Sequence, residues 1–555
     1  MKKILLIITA LLFATTQIHA NNDAIIFKAM QEEMDRSVNG LKMPDMPAPF
    51  WINFIVAEGE TLSITASLGG IVQSNYRPLV RSGWVRALTE SSEITSDARF
   101  SNQGRAVNLT VDNDADQIRR DLWAGADADY KQSLELLTIK KNALRRMNLT
   151  EEEQNLKDFN LPKNIKLRNQ PKNFVPFSQP NLENQMRTLS AIFKNYSKIH
   201  TSSVTLSAQQ SSFYIVNSQG SEIKEPSSNV VIRIRAEIRA EDGALLRDER
   251  VIVAENINKL PNQAALERIV NQFADDLQKL AAAPDITEYY SGPVLFENQA
   301  AADIFIEHLL TADGVVFSRR PIVAGNPQFT ANKPLGRKVV DTRLTVVNHT
   351  NKNSHKGMDL VGAYNIDAEG VQPQARQLLV ERGLLRQILN ASVPNEIAAH
   401  SNGNLRLGIF PTQTMTEIKP SVLEITSSQT LTPARLKQRL ISTAKSEGLD
   451  YAYIVRQLSG AIKIYQVDVR TGRETLMRSP DLERITMARL KRFDAVSNEE
   501  FVENRMLASD FVQGARDAFP MAIICPAGIL FQDVEIKRQT GHLEVLPTVR
   551  NPTER

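Results

Sequence analysis

The sequence predicts an α+β fold in two domains, and three observations carry that prediction. The first half alternates long helical stripes with runs of alternating apolar and polar residues. The second half is mostly short strand patterns around one clear helix. At 555 residues the chain is too long for one ordinary hydrophobic core.

The first predicted helix spans Asn21 to Leu41, because Ile25, Ile26, Met30 and Met34 recur at helical spacing and Asn39-Gly40 suits its end. Pro44, Pro47 and Pro49 then hold the chain extended up to Trp51. From Trp51 to Arg86 the pattern alternates as strands do, with a turn expected at Glu58-Gly59 and a bulge or close approach at Gly69-Gly70. No phosphate loop is expected there, because no Lys-Ser/Thr follows and no helix opens. A long helix from Asp112 to Met147 is predicted by the stripe Ile118, Leu122, Trp123, Ala126, Tyr130, Leu134, Leu137 and Leu144, with Asp residues at its start. The polar, Pro-interrupted stretch from Leu149 to Asn184 reads as an extended crossing segment.

A helix from Glu183 to Tyr196 follows. Next come the strands SSVTLSAQQ, SSFYIVNS, NVVIRIRAEIRA and ALLRDERVIVAE, with hairpin turns at Ser218-Gln219-Gly220 and Glu241-Asp242-Gly243. The helix Ala264 to Ala282 closes this half, and the boundary between residues 21–288 and 289–540 is set just after it. In the second half the strand candidates are RLTVVNH, DLVGAYNID, ARQLLVERG with GLLRQIL, NLRLGIF, VLEITSS, DYAYIVRQL, AIKIYQVDV and GILFQDVEIKR. A helix from Thr432 to Gly448 lies among them. Residues 541–555 read as a flexible tail.

The ends and the composition narrow the function classes. Lys2 and Lys3, the apolar run Ile4 to Thr15 and the small residue at Ala20 form a secretory signal peptide over residues 1–20. That run is too short to span a bilayer comfortably, and no later stretch is long and apolar enough to do so. The mature protein is therefore expected in the periplasm or outside the cell, with no integral membrane segment. Loss of Lys2 and Lys3 takes the net charge from +3 to +1, which gives no reason to expect nucleic acid as a partner. The single cysteine, Cys525, excludes an intramolecular disulfide and reads as a small core residue.

The stretch Ser291 to Thr311 is the most suggestive. Gly-Pro leads into the apolar strand Val294-Leu295-Phe296, and a helix carrying Glu307 and His308 follows. A strand feeding such a helix can present a metal and its base. That stretch, together with AYNIDAEGVQPQARQLLVERGLL and the Ser401-Asn402-Gly403-Asn404 turn before PSVLEI, resembles the TldD/PmbA family of DNA gyrase modulators, which contains zinc metallopeptidases. The N-terminal MQEEMDRSV and FWINFIVAEGETLSITASLGGIV extend the resemblance over about Ala24 to Arg538. It implies an N-terminal α/β domain with a mixed sheet and long helices, a β-rich, barrel-like C-terminal domain, and pairing of subunits.

The catalytic members carry a His-Glu-x-x-x-His helix after that strand, with a Cys further on as a metal ligand. The resemblance implies that these two imidazoles, five positions apart, hold the zinc and that the Glu beside the first acts as general base on a zinc-bound water. Here the aligned positions read Ile306-Glu307-His308-Leu309-Leu310-Thr311. Glu307 matches the base, but Ile306 and Thr311 stand where the two His belong, and Cys525 does not match the family's ligand. Glu307 and His308 remain the catalytic candidates. No metal ligand and no cofactor are expected here, zinc belonging to the catalytic members.

The other histidines are weaker. His349 and His355, in NHTNKNSHKG, read as residues of a solvated loop, although imidazole is a common metal ligand. His400 beside Ser401 lacks the Gly-x-Ser-x-Gly elbow of a nucleophile. Asp367-Ala368-Glu369-Gly370 reads as a hairpin turn with an acidic rim. The expected function is an exported, metal-free family member that binds a peptide or unfolded protein segment, as a homo-oligomer or paired with a catalytic TldD-like paralogue. The alternatives are an active metallopeptidase with unusual ligands and an envelope-binding protein.

Overall fold

The computed structural model describes residues 22–96, 104–146, 157–168, 174–310, 335–394, 400–410, 413–510 and 512–538, with the single positions 151, 315 and 398. The predicted signal peptide and tail lie outside them.

Helix α1 (residues 22–40) precedes a hairpin of two long strands, β1 (Pro49–Ser67) and β2 (Gly70–Thr89). The turn between them is Leu68-Gly69, both at positive φ (45° and 78°), the conformation of a tight two-residue hairpin. The expected roles of the two glycine sites are thus exchanged. Gly59 is no turn: it lies within β1, where a Cβ would come 2.1 Å from the Gln210 carbonyl, so only a glycine lets β1 run past its neighbour. After β3 (Arg105–Asn108) comes α2 (Ala115–Leu144), whose first turn is capped by the Asp114 carboxylate accepting the Asp116 and Gln117 N–H groups. Then follow β4 (Lys166–Leu167), α3 (Gln179–Ala191), β5 (Ile199–Asn217), β6 (Glu222–Arg239), β7 (Leu245–Ala254) and α4 (Gln263–Ala281). The two strands expected over residues 202–218 are one continuous β5.

These strands make one sheet in the order β3-β2-β1-β5-β6-β4, with β7 also on β6; only the β4–β6 pairing is parallel. Because side chains alternate along a strand, its two faces have different tasks. Phe54, Val56, Leu62, Ile64, Val204, Leu206, Tyr214 and Val216 face the helices, α1 and α2 at one end and α3 and α4 at the other. Ile55, Ala57, Phe213 and Ile215 face Ile366, Ala368 and Leu405 of the second half.

The second half opens with β8 (Tyr290–Glu297) and α5 (Gln299–Leu309), then β9 (Leu344–His349), β10 (Ser354–His355) and β11 (Met358–Asp359). It continues through β12 (Arg376–Glu381), β13 (Leu384–Leu385), β14 (Leu405–Phe410), β15 (Gln413–Ile418) and β16 (Val422–Ser427). Helix α6 (Pro433–Ser446) leads to β17 (Tyr451–Gln457), β18 (Lys463–Asp468), β19 (Glu474–Met477) and β20 (Pro480–Leu482). The short helix α7 (Met487–Leu490) precedes β21 (Ala495–Val496), β22 (Glu500–Leu507), β23 (Phe519–Pro526) and β24 (Gly528–Arg538).

Two large sheets result, β13-β12-β9-β16-β23-β22 and β19-β18-β17-β8-β24-β20 with β21 also on β24, beside the two-stranded β10-β11 and β14-β15, and none closes on itself. The barrel-like expectation is corrected in that respect: two open sheets sandwich α5 in a core containing Phe296, Phe305, Val346, Leu423, Ile523 and Phe531. Most of DLVGAYNID is not a strand either. Its hydrogen bonds go to turns of its own half and, through Asn365, to Glu225 of the first half.

Candidate functional site

The open face of the first sheet meets the second half through residues 364–371. Asp367 and Glu369 are 0% and 1% exposed, so the expected acidic rim is a buried staple. Asp367 Oδ1 accepts the N–H groups of Glu369 (2.9 Å) and Val371 (2.8 Å), which fixes the turn. One Glu369 oxygen receives Arg86 Nη1 from β2 at 2.8 Å, and the other receives the Ser392 N–H at 2.8 Å. Asn53 on β1 donates to the Ala368 carbonyl at 3.0 Å. A buried charge survives when paired and hydrogen-bonded in this way.

Beside the staple a cleft of about 570 Å³ opens between the halves. One wall is Phe213 of β5 and Glu225 to Ser228 of β6; the other is formed by Asn351, Asn353 and residues 359–366, with Arg406 also lining it. Glu225 accepts both the backbone N–H (2.8 Å) and Nδ2 (3.3 Å) of Asn365. Burial pushes its carboxyl up to about 7, the Asn365 hydrogen bonds and Arg406 working against that rise. Arg406 lies over the Tyr364 ring at 4.2 Å and donates to the Pro420 carbonyl at 2.7 Å. The Tyr364 hydroxyl donates to the Gly403 carbonyl at 2.6 Å. Gly403 sits at φ 77°, as expected of that turn, and a Cβ there would meet Pro373 at 2.9 Å.

The two catalytic candidates are not among the cleft's lining residues. Glu307, on the outer side of α5, is ion-paired with Arg484. His308 is 7% exposed, and burial lowers its pKa below the usual imidazole value. His349 and His355 are not the solvated loop residues expected: each imidazole meets a strand carboxylate at 2.7 Å, Glu424 for His349 and Glu500 for His355.

A zinc ion does not fit these residues. Ile306 offers no donor atom, and Cys525 is buried in the apolar core, which pushes its thiol far from the thiolate form that binds metal. Among the described residues no three His, Cys, Asp or Glu side chains gather as a metal site. No step through zinc is therefore derived.

Sequence reasoning missed Glu225, Tyr364, Asn365 and Arg406 as cleft residues. The signal lay in KEPSSN, a polar break inside an otherwise apolar strand, and in AYNID, whose irregular backbone wraps the cleft wall.

Residues 289–476 match the model of the PmbA/TldA metallopeptidase C-terminal domain. The fold is similar to that of TldE from Thermococcus kodakarensis, with a TM-score of 0.56 at 13% identity over 92% of this chain and 100% of that one. A proposed DNA gyrase modulator from Thermotoga maritima gives a TM-score of 0.56 at 13% identity over 91% and 100% of the two chains. A second, from Bacteroides thetaiotaomicron, gives 0.54 at 12% over 92% and 98%. No curated protein matches the sequence. The match over residues 289–476 and the shared fold together support assignment to the TldD/PmbA family.

Proposed function

We propose that this chain is an exported, metal-free member of the family that binds a polypeptide segment in the inter-half cleft, alone or beside a catalytic TldD-like paralogue. The observation that carries the reading is the mismatch at α5. The helix position of the first zinc imidazole holds Ile306, while a cleft with polar walls persists between the halves. Glu307 and His308 are read as structural, one an outward ion-pair partner and the other a packed ring. Among the described residues no helix is long and apolar enough to cross a membrane.

The test is bound zinc and peptidase activity of residues 21–555, with and without the paralogue. The expected result is no zinc and no activity alone, with activity or altered cleavage in the pair. Stoichiometric zinc with activity in the isolated chain overturns the reading in favour of an unusual ligand set. Silence in both, with no peptide bound, favours an envelope-binding role.

A further inference from the structure

Residues 351–361 form a strap along one wall of the cleft, where Asn351, Asn353, Ser354, Asp359, Leu360 and Val361 line it. Within the strap β10 and β11 pair only with each other, around the turn Lys356-Gly357 at φ 47° and 83°. A lone two-stranded hairpin is marginal by itself, so side-chain anchors must hold it. Leu360, 3% exposed, is the apolar anchor, packed with Val422 of β16 and with Ala522 and Ile524 of β23. At the base Asn504 of β22 accepts the Val361 N–H at 3.2 Å and donates to the Asp359 carbonyl at 2.9 Å. The other side-chain ties among the described residues are ionic. Glu424 Oε2 meets His349 Nε2 at 2.7 Å and Lys352 Nζ at 2.9 Å. Glu500 Oε2 meets His355 Nε2 at 2.7 Å and Lys356 Nζ at 2.8 Å. From the first half Lys259 reaches Asp359 at 3.0 Å.

We propose that the strap is released by acid: it lies closed while Glu424 and Glu500 are charged, and swings off to widen the cleft when protons neutralise them. His349, Lys352, His355 and Lys356 are then cations without their carboxylate partners, with Arg376 of β12 paired opposite His349, and like charges this close repel. The surroundings of each group give the same direction. His355 and Lys356 hold the Glu500 carboxyl below its ordinary 4.5. Burial raises Glu424, but Lys352 and His349 outweigh it, so its net shift is also downward. Burial lowers His349 below 6.5, with Glu424 working against it. A group whose folded value is depressed stabilises the closed strap fully above its ordinary value, and loses that contribution as pH falls through the folded one. Loosening therefore begins below about pH 6.5, through His349, and is completed below about pH 4.5, through the two carboxylates. The device stands whatever the cleft binds.

The experiment is spin-label spectroscopy of residues 21–555. Met358→Cys puts the label on the strap, and Val72→Cys, at a 69%-exposed position of β2, reports on the first sheet; the native Cys525 is buried and takes no label. Between about pH 7.5 and about pH 4 the label at 358 is expected to pass from an immobilised to a mobile spectrum, with the label at 72 unchanged. In the double variant Glu424→Gln, Glu500→Gln the label at 358 is expected to be mobile at both pH values. A label at 358 that stays immobilised in acid, or that ignores the double substitution, overturns the proposal. Loosening at 358 and 72 together is unfolding of the whole protein and overturns it as well. No peptide enters the experiment, so none of these results bears on the cleft-binding reading.

Discussion

Arg86 and Glu369 meet at 2.8 Å with side chains 9% and 1% exposed, so neither can be lost without stranding the other. Arg86→Ala leaves the Glu369 carboxylate buried with the Ser392 N–H, and a loss of about 3–5 kcal/mol is expected in urea unfolding. Glu225 gives a different signature. Its folded value of about 7 lies above the ordinary 4.5, so the folded state binds the proton more tightly. Its contribution to stability is full below about pH 4.5 and falls as pH rises towards 7. Asp129, raised to about 6 from 3.8 by burial, acts in the same direction. Glu225→Gln is expected to flatten the decline in melting temperature between pH 4.5 and 7, and an unchanged slope would refute the assignment. At this scale the sequence was a poor guide. Glu307 and His308 drew attention by spacing, whereas Glu225 matters through burial against Asn365, 140 positions away.

Elements were far more legible. Helix α6 is bounded by Thr432, whose hydroxyl accepts the Arg435 N–H at 3.3 Å, and Thr432→Ala is expected to cost about 1 kcal/mol. The apolar stripes of α2, α4 and α6 placed those helices to within about three residues, because one buried face fixes the period. Where two signals competed, the reading slipped. Glu58-Gly59 has turn composition, yet the close approach of β5 explains that glycine, and the turn falls at Leu68-Gly69. Gly59→Ala is expected to destabilise severely, since a Cβ has no room beside Gln210; a melting temperature within a degree of wild type would contradict the close approach. AYNID reads as a strand by alternation, but Asn365 bonds Glu225 of the other half while Tyr364 and Asp367 hold turns of their own half, contacts no local pattern announces.

In the whole molecule, side chains cross between the halves at several points. Arg478 donates to the Ala283 carbonyl (2.8 Å) and to Asp242 (2.9 Å). Arg233 holds Asp517 through two contacts of 2.7 and 2.8 Å. Asn504 of β22 reaches the Val253 carbonyl of β7 at 3.4 Å, where the edges of two sheets come together. The halves are thus coupled, and a single calorimetric transition is expected. Arg478→Ala is expected to split it into two, and an unsplit, merely shifted transition would mean that the remaining contacts suffice. Fold class followed from sequence periodicity, but the strand count did not: two expected strands are one in β5, and strands such as β19 to β22 were not expected. Nor did the cleft, because its walls come from residues more than a hundred positions apart.

Cys525 is the only thiol in the chain, and it is 0% exposed in the core between the sheets of the second half. The protein therefore carries its own unfolding clock. A colourless disulfide reagent added to the native protein reaches that sulfur only when the core opens, so the rate of colour release times the opening of the second half without any engineered label.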